Sequence, residues 1–274
     1  MVQVPDAQRS YEIVRDRKLL KPFVKGIETS GLENLLGAEG IQGKQVVFFP
    51  NHLSHFDSIG IGYTLLEHGI PLPIFLAGKN LDIWPFKPFF DKWGVIYVDR
   101  ALIDSKGRMQ KKKDHVREFR GAVQRAILNG SSLLDFLEGG RSYSGNIMEE
   151  RKKGAIEYIL QALKMEEMNS REVYGVNIAV AYYPKRIEEP FMRLLAWGRR
   201  KSKLAYYAAD ALAFATQPFR PKLRMHINFG PPYLLNDFAR ASNGAIELRD
   251  RVSEDVIRLY TESTESRARA DVRG

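Results

Sequence analysis

The chain alternates short apolar, β-branched or aromatic runs with longer amphipathic segments. This alternation is typical of an α/β fold in which helices connect parallel strands. The short runs predict six strands, at 45–49, 74–77, 95–98, 132–137, 176–182 and 223–229. The amphipathic segments predict helices at 57–67, 111–128, 149–165, 191–214 and 246–262.

No linker or internal repeat divides these elements. We therefore predict one three-layer αβα domain over residues 41–262, with a mostly parallel central sheet. Residues 1–40 are interpreted as an N-terminal helical segment. Residues 263–274, rich in Arg, Glu and Ser, are expected to form a frayed tail. Open α/β sheets bind ligands beyond the carboxyl ends of their strands, so the loops after 45–49 and 132–137 are the first candidates for a site.

The composition of the chain narrows the range of possible binding partners. With 274 residues, of which 44% are hydrophobic, the chain can bury a large core, and its net charge of +9 indicates an anionic partner. Nucleic acid, an anionic membrane, a phosphorylated metabolite and a coenzyme A derivative all fit that charge. The absence of cysteine excludes disulfides, thiolate zinc sites and cysteine nucleophiles. No helix-turn-helix, zinc or aromatic RNA-binding motif accompanies the charge, so we do not expect nucleic acid binding.

The N-terminus contains acidic residues and lacks the apolar run of a signal peptide. The longest uncharged stretches, such as residues 173–184, are shorter than the roughly 18 to 20 residues that cross a membrane. We therefore expect a cytoplasmic protein that is soluble or bound to one membrane face. No spacing of His or carboxylate residues indicates a metal site, and no cofactor is expected.

The first candidate site is the loop at 50–57. His52 and Asp57 are five residues apart and would lie about 140° apart on a regular helix, so they pair only if His52 precedes the helix and Asp57 is in its first turn. Asp57 would then accept the Nδ1 proton and leave Nε2 to take a proton from a hydroxyl group. In the alternative interpretation, Asn51 or Ser54 caps the helix, and the Asp57 carboxylate interacts favourably with the helix dipole. The histidines are then ordinary loop residues.

The second candidate is the glycine-rich loop at 138–142. Gly139 and Gly140 allow the backbone to approach a ligand closely or to adopt positive φ. Arg141 presents a planar cation suited to phosphate, and Ser142 adds a hydroxyl donor. The alternative is a glycine-rich turn with a solvated arginine. It is not a P-loop, because no Gly-Lys-Ser/Thr follows at the required spacing.

A third candidate is the segment 94–100, which is predicted to be a strand that ends in Asp99 and Arg100. Arg100 could be a second phosphate ligand. It could equally pair with Asp99 and have no chemical role.

In this order, the three segments resemble sequence blocks of the glycerolipid acyltransferase superfamily. Residues 52–57 match its H-x-x-x-x-D block, 94–100 its second block, and 138–142 its E-G-x-R-S block. Residues 176–184 and 228–232 resemble later blocks, so the similarity covers about 45–235. The double glycine and residues 75–85 are most similar to glycerol-3-phosphate acyltransferases, whereas Asp99-Arg100 matches the lysophosphatidate branch.

The resemblance implies a glycerol-3-phosphate acyltransferase-like fold and O-acyltransferase activity in phospholipid biosynthesis. A fatty acyl chain would pass from an acyl-CoA or acyl carrier protein thioester to glycerol-3-phosphate without metal or covalent intermediate. His52 would be the general base, and Asp57 would stabilise its imidazolium. The implied substrate-binding residues are Arg100, Glu138, Gly139, Gly140, Arg141 and Ser142. Acylation of lysophosphatidate or another lysophospholipid is the first alternative, and a non-catalytic lipid-binding protein is the second.

Two basic segments, 106–120 and 191–209, bear on membrane binding, and the second also contains interleaved aromatic residues. A basic helix with aromatic residues is typical of an interfacial anchor on anionic lipid. The alternative is a solvated helix face that packs on the sheet by its apolar side. We expect peripheral, salt-sensitive association with an anionic membrane surface.

Overall fold

The computed structural model describes residues 24–37, 40–54, 56–79, 94–103, 107, 109–140, 154–183, 212 and 223–271, and only the backbone of 100, 101, 154 and 266–271. Within these ranges the strands are β1 Val24–Ser30, β2 Gln45–Pro50, β3 Ile74–Gly78, β4 Val95–Val98, β5 Leu133–Asp135, β6 Val173–Tyr183, β7 Leu223–Phe229 and β8 Tyr233–Leu234. The helices are α1 Glu33–Leu36, α2 Phe56–Glu67, α3 Arg100–Ile103, α4 Met109–Leu128, α5 Gly154–Leu163, α6 Leu235–Arg240 and α7 Gly244–Asp271, with a 3₁₀ turn at Glu166–Met168.

The described strands form one sheet in the order β1-β7-β6-β2-β5-β3-β4, and β8 pairs with β6. The pairs β2–β5, β2–β6, β3–β5, β3–β4 and β1–β7 are parallel. The pairs β6–β7 and β6–β8 are antiparallel. The prediction of a mostly parallel sheet is confirmed.

Helices cover both faces of this sheet. Alternate residues of a strand point to opposite faces, and on β2 Val46 and Phe48 belong to one buried cluster while Val47 and Phe49 belong to the other. The first cluster includes α2, and the second includes α4, α5 and α7. These two apolar layers confirm the predicted αβα architecture.

Strands β2, β3, β4 and β7 lie where their apolar runs predicted them, to within one residue. β5 is shorter than its prediction, and β6 begins three residues earlier than its own. The helices predicted at 57–67 and 111–128 correspond to α2 and α4. The helix predicted at 149–165 is seen as α5, with 149–153 outside the described residues. Apart from Leu212, the segment predicted as helix 191–214 also lies outside the described residues.

The predicted helical segment at 1–40 is wrong for residues 24–30, which form β1, while residues 1–23 lie outside the described part. β1 is an edge strand that pairs in parallel with β7, with Glu28 opposite His226. Val24 is the one buried residue of this strand, and Lys25 and Glu28 are exposed. Because its partner lies about 200 residues away in sequence, the local pattern did not reveal the strand.

The predicted fraying from residue 263 is also wrong, because α7 continues to Asp271. Val252, Val256 and Leu259 form a buried stripe at helical spacing, and Ser263 continues it at 1% exposure. The Ser263 hydroxyl donates to the Leu259 carbonyl oxygen, which satisfies it inside the core. A polar residue therefore occupies a core position that the hydrophobic pattern did not identify.

Among the described residues, no helix is both long and apolar enough to span a membrane.

Candidate active site

His52 is the second residue after the end of β2 at Pro50, and Asp57 lies in the first turn of α2. The His52 Nδ1 atom lies 3.0 Å from Asp57 Oδ2. This is the placement that the sequence argument required, with the histidine in the turn and the carboxylate on the helix. The two side chains therefore form a hydrogen-bonded pair at the carboxyl end of a parallel strand.

The Asp57 carboxylate is fully buried and accepts further hydrogen bonds. Oδ2 accepts the backbone N–H groups of Leu53 at 2.7 Å and Ser54 at 2.8 Å. Oδ1 accepts the Tyr182 hydroxyl group at 2.6 Å, a distance typical of a bond to a charged oxygen. These donors hold the carboxylate in one orientation.

The His52 imidazole is fixed on two sides. Its Nδ1 faces Asp57, and its ring stacks on Phe136 with centroids 4.2 Å apart and an interplanar angle of 29°. When Nδ1–H donates to the carboxylate, Nε2 of the neutral ring is the proton acceptor. The side chain is 20% exposed, so the ring is held firmly but remains accessible from the rim of the sheet.

Asn51 holds the turn that carries His52. Its Nδ2 donates to the Val180 carbonyl oxygen at 3.0 Å, and its Oδ1 accepts the Val180 N–H at 2.6 Å. The side chain thus continues the pairing of β2 with β6 beyond the end of β2. Asn51 is fully buried and is not the helix cap that the alternative interpretation considered.

Ser54 does act at the helix start, because its hydroxyl oxygen accepts the Phe56 N–H at 3.3 Å. Capping and the His52–Asp57 pair therefore coexist and do not exclude each other. Residue 55, a histidine in the sequence, lies outside the described residues.

Glu138, predicted to bind substrate, is 2% exposed, and its Oε2 accepts the His52 backbone N–H at 3.2 Å. The structure thus places this buried carboxylate against the backbone of the loop that carries His52. Gly139 has φ of +69°, a conformation that favours glycine, and its N–H donates to the Phe136 carbonyl oxygen. Among the described residues, a Cβ added to Gly140 would meet nothing within 4 Å.

Arg141 and Ser142 lie outside the described residues. The Arg100 backbone opens α3, and its side chain is not described. Its neighbour Asp99 accepts the Leu102 N–H through Oδ1 at 2.9 Å and lies 3.7 Å from Lys79 Nζ. Asp99 therefore stabilises the start of α3 and approaches Lys79, and the alternative of an Asp99–Arg100 pair stays untested.

Sequence reasoning missed Tyr182 as a functional residue. The available signal was its position, because Tyr182 ends a predicted strand whose carboxyl end lies at the same edge as that of β2. What was missing was the register between β2 and β6, which brings the hydroxyl group to Asp57. The rule that ligands bind beyond the carboxyl ends of the strands, which identified His52, also applied to Tyr182.

Chemically, the arrangement is an imidazole oriented by a buried carboxylate, a combination that can accept a proton as a general base. No group of three or more potential metal-ligating side chains comes together among the described residues. A proton acceptor of this kind suits activation of a hydroxyl group supplied by a substrate.

Comparison with known proteins decides the family. The profile of the family described as Acyltransferase matches residues 26–181, more than half of the chain and including the His52–Asp57 loop and Glu138. The chain belongs to this acyltransferase family. The predicted membership of the glycerolipid acyltransferase superfamily, with glycerol-3-phosphate acyltransferases as the most similar branch, is confirmed by relatives of that name.

This acyltransferase chain is 26% identical over 198 residues to glycerol-3-phosphate acyltransferase of Haemophilus ducreyi, which covers 72% of the chain and 23% of the relative. It is 26% identical over 222 residues to the Haemophilus influenzae enzyme of that name, covering 81% of the chain and 26% of the relative. The chain thus spans about a quarter of the length of these relatives.

A solved structure shares the fold. The 1-acyl-sn-glycerophosphate (LPA) acyltransferase of Thermotoga maritima superimposes with a TM-score of 0.54 at 17% identity, over 94% of this chain and 79% of that one. At this identity the likeness concerns the fold alone, and it agrees with the sheet and layers described above.

Proposed function

We propose that this acyltransferase transfers a fatty acyl chain from an acyl-CoA or acyl carrier protein thioester to the hydroxyl group of glycerol-3-phosphate, in phospholipid biosynthesis. The observation that carries the proposal is the His52–Asp57 pair, in a chain of this family, at the carboxyl edge of the sheet. The names of the Haemophilus relatives support glycerol-3-phosphate as the acceptor.

In this mechanism His52 Nε2 takes the proton of the acceptor hydroxyl while the oxygen attacks the thioester carbonyl carbon. The carbon–sulfur bond of the resulting tetrahedral intermediate then breaks, and the imidazolium returns its proton to the leaving thiolate. The products are an ester and a free thiol. Asp57 stabilises the imidazolium and keeps the ring in the tautomer that the first step needs.

The acceptor phosphate needs cations near the base, so that attack becomes nearly unimolecular. We assign the cations to Arg100 and Arg141 and a hydroxyl donor to Ser142, on the strength of the sequence blocks that contain them. Gly140, which lacks a side chain, and the positive φ at Gly139 suit a loop that closes around a substrate. The Glu138 carboxylate stabilises the His52 loop by accepting a hydrogen bond from the His52 backbone N–H.

Lysophosphatidate is the second candidate acceptor. The sequence Asp99-Arg100 at the end of the second block favours it, because that ending matches the lysophosphatidate branch. A non-catalytic lipid-binding role is disfavoured because both members of the catalytic pair are present and hydrogen-bonded.

We further propose that the protein works at the cytoplasmic face of an anionic membrane, to which it binds peripherally. The net charge of +9 and a lipid product support this proposal. Sedimentation with anionic vesicles should decrease as salt rises, because surface charges are screened. Sedimentation that ignored salt would contradict electrostatic binding.

The acceptor assay tests the proposed reaction. Purified protein is incubated with palmitoyl-CoA and either glycerol-3-phosphate or lysophosphatidate, and free thiol is measured. Thiol release that requires glycerol-3-phosphate supports the proposal, whereas release with lysophosphatidate alone moves the protein to the second candidate. No release with either acceptor, from CoA and acyl carrier protein thioesters alike, would contradict an acyltransferase activity.

A further inference from the structure

A groove of about 620 Å³ runs along the outer side of α4, well outside the His52 loop. Ile103, Met109 and Val116 give it apolar surface. Its basic residues are Lys112, Lys113, Arg117 and Arg120. A concave surface that combines apolar contact with four positive charges suits an organic polyanion.

The positive charge of this α4 groove is not neutralised by the helix itself. The acids Asp114 and Glu118 are not among its lining residues, and Asp114 accepts a hydrogen bond from Gln110. Within the described part of the chain, none of the four basic side chains forms an ion pair with a carboxylate. The groove therefore keeps a positive potential that an anionic ligand can use.

The groove lies at the same edge of the sheet as the catalytic pair. His115, in the first half of α4, accepts the Asp99 N–H directly beyond the carboxyl end of β4. The last turn of α4 is at the opposite edge, where the Ile127 carbonyl oxygen accepts from Gln45, the first residue of β2. The basic half of α4 is thus at the His52 edge.

Dimensions favour a ligand longer than a single phosphate. Lys112 and Arg120 are eight positions apart, which corresponds to about 12 Å along the helix. β4 is three strands from β2 in the sheet order, so the two strands are separated by about 14 Å within the sheet. A pantetheine arm is comparable to about five extended residues and reaches roughly 17 Å.

We propose that the α4 groove binds the phosphorylated adenosine of coenzyme A, while the pantetheine arm carries the thioester along the rim to His52. The 3′-phosphate and the 5′-diphosphate supply several negative charges, and the adenine ring supplies a flat surface for the apolar residues. No bond forms or breaks in the groove. This inference rests on the proposed function, whose thioester donor it specifies as acyl-CoA.

A membrane surface fits this groove less well. Interfacial helices bury a broad apolar face in lipid, whereas Val123, Ala126 and Ile127 of α4 are buried in the protein core. Met109, at 65% exposure, is the one large hydrophobic residue of the described α4 that is strongly exposed. The helix therefore presents charge and a concave surface rather than an apolar face for insertion.

Direct binding separates this inference from catalysis. The Lys113→Glu/Arg117→Glu variant reverses two exposed groove charges, and Lys111→Glu/Arg125→Glu makes the same change on the same helix outside the groove. Calorimetry with adenosine 3′,5′-bisphosphate and with CoA at low salt should show binding to the wild type and the control variant. The groove variant should bind about tenfold more weakly. Equal affinity in all three proteins would overturn the proposal.

Kinetics identify the bound moiety. With palmitoyl-CoA the groove variant should show a KM raised about tenfold at nearly unchanged kcat, whereas palmitoyl-pantetheine, which lacks the nucleotide, should react equally well with all three proteins. If the groove variant loses activity only with acyl carrier protein thioesters, the groove binds a protein. If it loses only the binding to anionic vesicles, the groove binds a lipid surface. Either result would overturn the proposal. If CoA binds as expected but no thioester is consumed, the groove assignment stands and the proposed acyl transfer fails.

Discussion

The Tyr182 hydroxyl group donates to Asp57 Oδ1 at 2.6 Å and connects β6 to the segment that contains His52 and Asp57. Because Oδ2 of the same carboxylate faces His52, the tyrosine fixes the rotation of Asp57 and so the direction of the imidazole. Tyr182 is therefore a positioning residue of the proposed site.

Tyr182→Phe removes this hydrogen bond and keeps the ring. A bond to a charged group contributes about 1.5 kcal/mol or more, so kcat should fall about tenfold. The measurement is steady-state thiol release with saturating acceptor. Tyr183→Phe makes the same chemical change on an exposed neighbour and should keep kcat within about twofold of the wild type. Equal losses in the two variants would contradict a positioning role.

Asp57→Asn keeps the size of the side chain but removes the charge that orients His52. Leu53, Ser54 and Nδ1 of His52 all contact Oδ2, so an amide that keeps its oxygen there is a neutral, weaker acceptor and turns an NH₂ donor towards the Tyr182 hydroxyl group. The variant also lacks the negative charge that stabilises the imidazolium. We expect kcat to fall by about 10² to 10⁴, by analogy with general-base loss. Circular dichroism should confirm that the variant is folded, and a folded variant of wild-type activity would remove Asp57 from the mechanism.

Asn51→Ala tests the support of the loop. It leaves the buried Val180 N–H and carbonyl groups without their side-chain partner, which should lower the free energy of unfolding by about 2 to 4 kcal/mol. Asn34→Ala removes a single bond, to the Phe229 carbonyl oxygen, and should cost about 1 kcal/mol. Urea unfolding measures both. Equal costs would mean that the Asn51 bridge is not formed in solution.

Gly31→Ala tests the docking of β1, the strand that the sequence did not reveal. Gly31 and Gly43 both have φ of +71°, but an added Cβ at Gly31 would lie 1.9 Å from the Phe229 carbonyl oxygen, whereas at Gly43 it would meet nothing within 4 Å. Gly43→Ala should therefore lower the free energy of unfolding by about 1 to 2 kcal/mol from its backbone conformation alone. Gly31→Ala should lower it clearly more, because the end of β1 must move away from β7. Equal midpoints in urea would contradict the described β1–β7 contact.

Much of this architecture was predictable because its signals are local. The apolar run that forms β2 and the amphipathic pattern of α2 place a turn between them, and that turn limits how His52 and Asp57 can meet. The sequence therefore predicts the condition under which His52 and Asp57 pair, and the structure satisfies that condition.

Other features depend on contacts between residues far apart in sequence. Tyr182 reaches Asp57 only through the register of β6 on β2, and the hydrogen bond between Glu138 and the His52 N–H depends on β5 lying beside β2. β1 was missed for the related reason that its pairing partner is distant in sequence, whereas Ser263 was missed because it is a polar residue at a core position. Such contacts have no signature in a hydrophobic pattern.

The central claim is that His52 is the base for acyl transfer to glycerol-3-phosphate. The most direct measurement compares wild type, His52→Ala and His68→Ala in thiol release from palmitoyl-CoA with glycerol-3-phosphate as acceptor. His68 is a matched control because its Nδ1 is bonded to the Thr64 carbonyl oxygen at the end of α2. The account predicts a loss of at least about 10² in His52→Ala and near-normal turnover in His68→Ala. Acceptor-dependent turnover that survives unchanged in a folded His52→Ala variant would contradict it.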